Sequence, residues 1–263
     1  MSSRFALNKP ALEFNISARY GGALVLDETA ASIEAGEIVA LIGLSGSGKS
    51  TLALSLLRLL HYRGGEVSGS IRVDGRELVG VSEREMRRIR GKQIGYVPQN
   101  AASALNDRLR VRTLFEETWN AHSRERAPEG AFEAALASVQ LPANRDFLNR
   151  RAGELSTGQG QRLLIALALL HKPAVLLADE PTSALDVITQ AAVLELFRDL
   201  NRTNGSATLF ISHDLLSVAS IADRVAILHE GRIVECGPPE QIFRSPRHDF
   251  TQELVRAIPK RTW

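Results

Sequence analysis

Residues 43–50 read Gly43-Leu44-Ser45-Gly46-Ser47-Gly48-Lys49-Ser50 and follow the apolar run Ile38-Val39-Ala40-Leu41-Ile42. The octet fits G-x-x-x-x-G-K-[ST], and Thr51-Leu52-Ala53-Leu54-Ser55-Leu56-Leu57 after it is rich in helix formers. A strand, a glycine-rich turn and a helix in that order have a definite chemical use. Gly43, Gly46 and Gly48 let the backbone curl, so that N–H groups through Ser45, Ser47 and Thr51 point inward at phosphate oxygens. The helix N-terminus adds partial positive charge. In this pattern Lys49 reaches the β- and γ-phosphates, and the Ser50 hydroxyl ligates Mg²⁺.

Similar apolar runs recur and end in polar clusters. Val175-Leu176-Leu177-Ala178 runs into Asp179-Glu180, and Thr208-Leu209-Phe210-Ile211 into Ser212-His213-Asp214; Val225-Ala226-Ile227-Leu228 follows. Short continuous apolar strands separated by helical stretches predict a buried, mostly parallel α/β sheet, with ligands beyond the strands' carboxyl ends. Asp179 and Glu180 then have two readings. They are the carboxylates that hold hydrated Mg²⁺ and polarise an attacking water. Equally, Asp before Pro181 suits a strand-to-helix turn. His213 either braces a γ-phosphate or is a surface or capping histidine. Ser68-Gly69-Ser70-Ile71-Arg72-Val73-Asp74-Gly75 reads as an alternating strand ending in a tight turn, which predicts a small antiparallel sheet beside the main one. Residues 110–140 read as helical, with a break at Ala127-Pro128-Glu129-Gly130.

Composition narrows the class. The 32 Lys+Arg against 30 Asp+Glu leave a net charge of +2, too little for nucleic-acid binding by bulk charge. The basic run Arg84, Arg87, Arg88, Arg90, Lys92 is interleaved with Glu83 and Glu85 behind a Ser82 cap, and reads as a solvated helix face. The lone Cys236 can form neither an internal disulfide nor a cysteine metal site, which fits a reducing, cytoplasmic setting. Met1 to Phe14 has no apolar leader core. The longest apolar run, Leu163–Leu170, is far below the roughly 20 residues a bilayer span needs. Work at a membrane would require a partner that spans it.

Residues 155–162 read Leu155-Ser156-Thr157-Gly158-Gln159-Gly160-Gln161-Arg162. By itself Ser156-x-x-Gln159 is a capping box opening an apolar helix. Beside the phosphate loop, the acidic strand and His213, it resembles the signature LSGGQxQR of the ATP-binding subunits of ABC transporters. Gln99 in Tyr96-Val97-Pro98-Gln99 is similar to their Q-loop, and Ser183-Ala184-Leu185-Asp186 to their D-loop. The resemblance runs end to end and implies an α/β fold. Its parts are a P-loop NTPase (RecA-like) core, a small antiparallel β subdomain and an inserted α-helical subdomain at about 100–165. A short tail at about 238–263 completes one nucleotide-binding domain, 1–263.

It also implies roles. Tyr20 stacks on adenine, Gln99 senses Mg²⁺ and the attacking water, Asp179 holds Mg²⁺, Glu180 is the general base and His213 the switch histidine. Ser156, Gly158, Gln159 and Asp186 complete the ATP site of a second subunit. Thr157 stands where the family has glycine; if that position needs positive φ, a β-branched residue weakens the half-site, and Thr157→Gly is expected to raise activity. Gly160 is also unusual.

Residues 81–91, Ser103-Ala104-Leu105-Asn106, Ala184-Leu185-Asp186-Val187 and the stretch from His248 to Pro259 resemble the oligopeptide, dipeptide and nickel import branch, the first of its two paired ATPases. That implies ATP and Mg²⁺ as cofactors and membrane-spanning permease subunits as partners, with a related second ATPase making a heterodimer. An extracytoplasmic solute-binding protein takes part indirectly, and no nucleic acid. The chain would sit peripherally on the cytoplasmic face of the cell membrane. The cysteine-rich C-terminal extension of that type does not follow Trp263, so no iron–sulfur site is implied. A soluble ABC ATPase without a permease, of the phosphonate-breakdown type, is the alternative. A non-catalytic scaffold in a heteromeric pair is a third reading.

Overall fold

The run Ile38–Ile42 forms a strand, β3 in chain order, in which every residue is buried. Ile38, Ala40 and Ile42 face one apolar cluster, and Val39 and Leu41 face another. Cover on both faces is why this strand reads as a continuous apolar run rather than an alternating one. The computed structural model describes residues 9–258. The leader reading at residues 1–8 and the closing residues 259–263 lie outside the described residues.

Two sheets share the core. The first is antiparallel, in the order β2-β1-β4-β5, from β1 Leu12–Tyr20, β2 Ala23–Ile33, β4 Gly65–Val73 and β5 Arg76–Glu77. Its β4–β5 turn places Asp74 and Gly75 at φ 49 and 77, the consecutive left-handed pair that a two-residue hairpin requires. The second sheet has the order β10-β9-β3-β8-β7-β6. It is built from β3, β6 Ile94–Val97, β7 Val175–Asp179, β8 Ala207–Ser212, β9 Arg224–His229 and β10 Arg232–Gly237. Five of its strands run parallel, and β10 alone is antiparallel to its neighbour. Helix α1, Lys49–Leu56, packs Leu52, Ala53 and Leu56 into the cluster beneath the antiparallel sheet.

Helix α2 is Glu83–Ile89. Between β6 and β7 lie α3 Ala101–Ala104, α4 Val111–Asn120, α5 Ala131–Ser138, α6 Arg145–Asn149 and α7 Thr157–Leu169. The interruption between α4 and α5 contains the expected break at 127–130. Helix α8, Val187–Asn204, joins β7 to β8, and α9, Leu215–Ala219, joins β8 to β9. Beyond the sheet come α10 Pro239–Arg244 and α11 Asp249–Ala257. These last helices are tied down: the buried Glu235 carboxylate of β10 accepts from the Arg247 and His248 N–H groups at 3.0 Å, and Phe250 stacks on His229 at 3.7 Å.

The basic run departs from its reading at one residue. Arg84, Arg87, Arg88 and Lys92 are exposed, but Arg90 is turned inward. Its guanidinium donates to Leu57 O at 2.7 Å and Arg58 O at 3.0 Å, and holds Glu83 through both carboxylate oxygens at 2.7 and 2.9 Å. A cation so placed satisfies carbonyls at the C-terminal end of α1 and interacts favourably with its dipole. It anchors the helix whose other end carries the phosphate loop. Helical spacing in the sequence could not reveal this, because Arg90 lies just past the end of α2 and its carbonyl acceptors lie more than thirty residues away.

The Arg90 hydrogen bond holds Glu83 at a pKa of about 2, against an ordinary 4.5. A carboxyl lowered on folding contributes stability that is fully present above the ordinary value and lost as pH falls toward 2. Glu83→Gln therefore flattens the acid limb of stability between about pH 4.5 and 2 in urea titrations. Arg90→Ala, which strips donors from two helix-end carbonyls, lowers stability at pH 7 by roughly 2 kcal/mol.

Candidate nucleotide site

The phosphate loop leaves β3 and turns into α1 through Gly48, whose φ of 105 closes to L side chains. Space closes there as well: a Cβ at Gly48 would lie 2.8 Å from the Leu26 side chain, and one at Gly43 would lie 2.6 Å from Leu228 O. The glycines thus serve both curvature and close approach. Lys49 is buried, and its Nζ donates to Gly43 O at 2.9 Å and Leu44 O at 3.0 Å, holding the ammonium along the inside of the loop. Ser47 Oγ is buried without a hydrogen-bond partner among the described residues. An unpaired hydroxyl in a glycine cradle beside a buried cation fits a phosphate oxygen acceptor.

Strand β7 delivers the carboxylates. Asp179 is its last residue and is buried. Burial, and next the neighbouring Glu180 carboxylate, push the Asp179 carboxyl above its ordinary 3.8; hydrogen bonds from Tyr96 and Ser50 and the charge of Lys49 oppose this. Tyr96 Oη donates to Asp179 Oδ2 at 3.4 Å, and burial pushes its own hydroxyl pKa up. The Asp179 carboxylate with the Ser50 hydroxyl close by forms a hard oxygen donor set, which suits Mg²⁺.

Glu180 lies just outside the strand, with φ 46. Left-handed backbone at a glutamate costs about 1–2 kcal/mol. It also turns the side chain away from that of Asp179, so two neighbours can do different jobs. Glu180 N donates to Ile211 O at 2.9 Å, which pins the turn to β8. Its Oε2 accepts from Gln99 Nε2 at 3.1 Å and meets His213 Nδ1 at 3.1 Å. Gln99 follows β6 and His213 follows β8, so three adjacent strand ends converge on one carboxylate oxygen.

A cavity of about 420 Å³ opens here. Ser45, Gly46, Gly48, Lys49, Ser50 and Thr51 line it from the loop side, and Gln99, Glu180 and His213 from the other. Val25 of β2 also lines it, although sequence reading did not single it out. Tyr20 is not among the lining residues; it ends β1 half-buried against the apolar cluster.

The signature residues stand apart from this cavity. Ser156 caps α7: its Oγ accepts from Gln159 N at 3.3 Å, and Gln159 Oε1 accepts from Ser156 N at 3.1 Å. Asp186 caps α8, accepting from the Ile188 and Thr189 N–H groups and from Thr189 Oγ1 at 2.7 Å. The last of these bonds holds the Asp186 carboxyl below its usual pKa. Thr189, held this way, brings its methyl to 2.8 Å from where a Cβ on Gly158 would be. The expected cost of Thr157 has no basis in the backbone, because Thr157 is the first residue of α7 and helical. Packing instead limits the two glycines that follow: Gly158 against the Thr189 methyl and, less tightly, Gly160, where an added Cβ would lie 3.3 Å from Ala101 Cβ of α3.

A glycine cradle, a buried lysine and a strand-end acid define a P-loop nucleoside triphosphatase. Residues 26–183 match the family described as ABC transporter, and the chain belongs to it: this is an ABC ATPase, whose hydrolysis of ATP serves transport. It is 43% identical over 237 residues to a provisionally named peptide import ATP-binding protein of Brucella melitensis, spanning 87% of this chain and 70% of that protein. Identity to the oligopeptide transport ATP-binding protein OppD of Bacillus subtilis is 40% over 231 residues, 86% of this chain and 64% of that one. Among solved structures, the ATP-binding cassette MJ0796, a dimer bound to ADP and Pi, superposes with a TM-score of 0.73 at 26% identity, covering 87% of this chain and 98% of that one. Clostridium perfringens cbiO1, described as part of an ABC transporter complex, gives 0.77 at 25% identity over 90% and 92%.

If Gly43 and Gly48 act through space and φ as described, Gly48→Ala and Gly43→Ala reshape the loop without touching Glu180. ATP affinity, read by fluorescent-nucleotide titration, falls at least about tenfold in each, while thermal stability changes by only a few degrees.

Proposed function

We propose that this chain is the ATP-hydrolysing subunit of a peptide importer, and that the carboxylate Glu180, shared between Gln99 and His213, is the base of its reaction. One observation carries the chemistry: three strand ends set Gln99, Glu180 and His213 on one wall of a cavity whose other wall is the phosphate loop. ATP enters with its phosphates along the loop N–H groups. Lys49 exchanges its two loop carbonyls for β- and γ-phosphate oxygens. Ser50, Asp179 and the Gln99 carbonyl would hold Mg²⁺, which offsets phosphate charge when bound. Glu180 takes a proton from the attacking water as its oxygen bonds to the γ-phosphorus. The bond to the bridging oxygen breaks, and ADP leaves with that electron pair. His213 steadies the γ-phosphate, and Tyr96 orients Asp179.

Ser156, Gly158, Gln159 and Asp186 line no part of this chain's own cavity, which supports their completing the site of a second subunit. Two ATP molecules would then bind between head-to-tail subunits, and hydrolysis would release the closed state. That the cassette MJ0796 is dimeric in a post-hydrolysis state with ADP and Pi supports a two-subunit reading. We assign residues of about 100–165 to a helical subdomain and 238–263 to a tail, within one nucleotide-binding domain spanning 1–263.

The peptide class rests on the relatives, which are named for peptide, oligopeptide and glutathione import. Those names also favour the importer over a permease-free ATPase. Among the described residues no helix is long and apolar enough to cross a membrane. Transport therefore calls for separate membrane-spanning subunits, with this chain at their cytoplasmic face, a related second ATPase, and a solute-binding protein outside.

Glu180→Gln keeps ATP affinity, lowers hydrolysis by at least about a hundredfold and accumulates an ATP-bound dimer on a sizing column. Hydrolysis near the wild-type rate would remove Glu180 as base. Affinity capture of the chain from gently solubilised membranes should yield multi-span permeases and a second ATP-binding subunit by mass spectrometry. A partner set without permeases would favour the soluble alternative.

A further inference from the structure

Behind the shared carboxylate, on the side away from the phosphate loop, lies a second and smaller cavity of about 110 Å³. Glu180 and His213 form part of its wall, and so does Gln190, which sits one turn into α8. The assignments above leave Gln190 unused. It is half-buried, and its Nε2 donates to Ser217 Oγ at 3.1 Å and Asp214 Oδ2 at 3.4 Å. Both acceptors belong to the opening turn of α9. Asp214 is the N-cap of that helix: its Oδ1 accepts from Leu216 N at 3.1 Å and Ser217 N at 3.2 Å, and its Oδ2 also accepts from Ser217 Oγ. Asp214 N in turn donates to Ser212 Oγ at 3.0 Å. His213 sits inside this knot, between Ser212 and Asp214.

The physical consequence concerns the histidine ring. His213 is largely exposed, with 60% of its side chain accessible, so little packing fixes it. Its orientation depends on the backbone of the turn that carries it and on its contact with Glu180. The Asp214 cap sets that turn, and the capping carboxylate is itself braced from α8 by one amide. In the first turn of the same helix, Thr189, bonded to the capping Asp186, packs its methyl against Gly158 of the signature. One rigid turn of α8 therefore joins the signature contact to the histidine turn.

We propose that Gln190 is a positioning residue for ATP hydrolysis: its amide, bonded to Asp214 and Ser217, holds the α9 cap and through it the His213 ring on Glu180. The proposal rests on the reading of Glu180 and His213 as hydrolytic groups. Gln190→Met keeps the length and removes the donor, and Gln190→Leu serves as the second variant. In the full-length chain with ATP and Mg²⁺, Gln190→Met lowers kcat about five- to tenfold and leaves KM for ATP within about twofold, because the phosphate loop is untouched.

Two readouts separate positioning from general loosening. The first is the NMR spectrum of the ¹⁵N-labelled histidine rings, in which the His213 signals shift or broaden in Gln190→Met while those of His61 stay in place. The second is a double-mutant cycle: the Gln190→Met, His213→Ala double variant is no slower than His213→Ala alone. Unchanged His213 signals, or losses that multiply in the double variant, overturn the proposal. Wild-type hydrolysis by His213→Ala instead removes the functional reading beneath it, and the NMR result then reports whether the bracing itself is real.

Discussion

The site turns on one carboxylate oxygen held by two strand ends that are not its own. Glu180 Oε2 meets Gln99 from β6 and His213 from β8, each at 3.1 Å, and the backbone N–H of Glu180 is bonded to β8. This geometry exists only if β6, β7 and β8 lie side by side and parallel, with their carboxyl ends in register. The apolar, doubly covered strands are therefore the condition for the chemistry. The left-handed φ of Glu180 is the local cost: the chain must leave the strand abruptly so that Asp179 can face the loop while Glu180 faces its two partners.

A second constraint acts through α1. Its N-terminus is the floor of the phosphate loop and its C-terminal end is anchored by Arg90. The guanidinium, balanced by Glu83, ties α1 to α2 and so to the segment leading into β6, which Gln99 follows. The two walls of the cavity are thereby connected through ordinary structural bonds. Asp179 adds an electrostatic element: burial beside Glu180 disfavours its charged form, and a divalent cation would reverse that balance.

Local patterns were readable from the sequence. The glycine-rich turn of residues 43–48, the N-cap at Ser82, the capping box at Ser156, the Asp74-Gly75 turn and the doubly buried strands each follow from neighbouring residues, and each was found as expected. What could not be read depends on chain-distant contacts. Tyr96 reaches Asp179 across 83 residues, Arg90 reaches Leu57 across 33, and Gln190 reaches Ser217 across 27. Thr157 gives the opposite lesson. Comparison with the family pattern implied a strained backbone there, whereas a helix N-terminus needs no positive φ, and the tight packing falls on Gly158 and, less severely, Gly160.

The most direct test of this account is a crystal structure of the full chain with a non-hydrolysable ATP analogue and Mg²⁺. The account predicts Lys49 Nζ released from Gly43 O and Leu44 O onto the phosphates, and the metal on Ser50 and Asp179. It also predicts a water between Glu180 and the γ-phosphorus, with His213 beside the γ-phosphate. Phosphates bound elsewhere, with Lys49 still on its loop carbonyls and Glu180 facing no reacting atom, would contradict it.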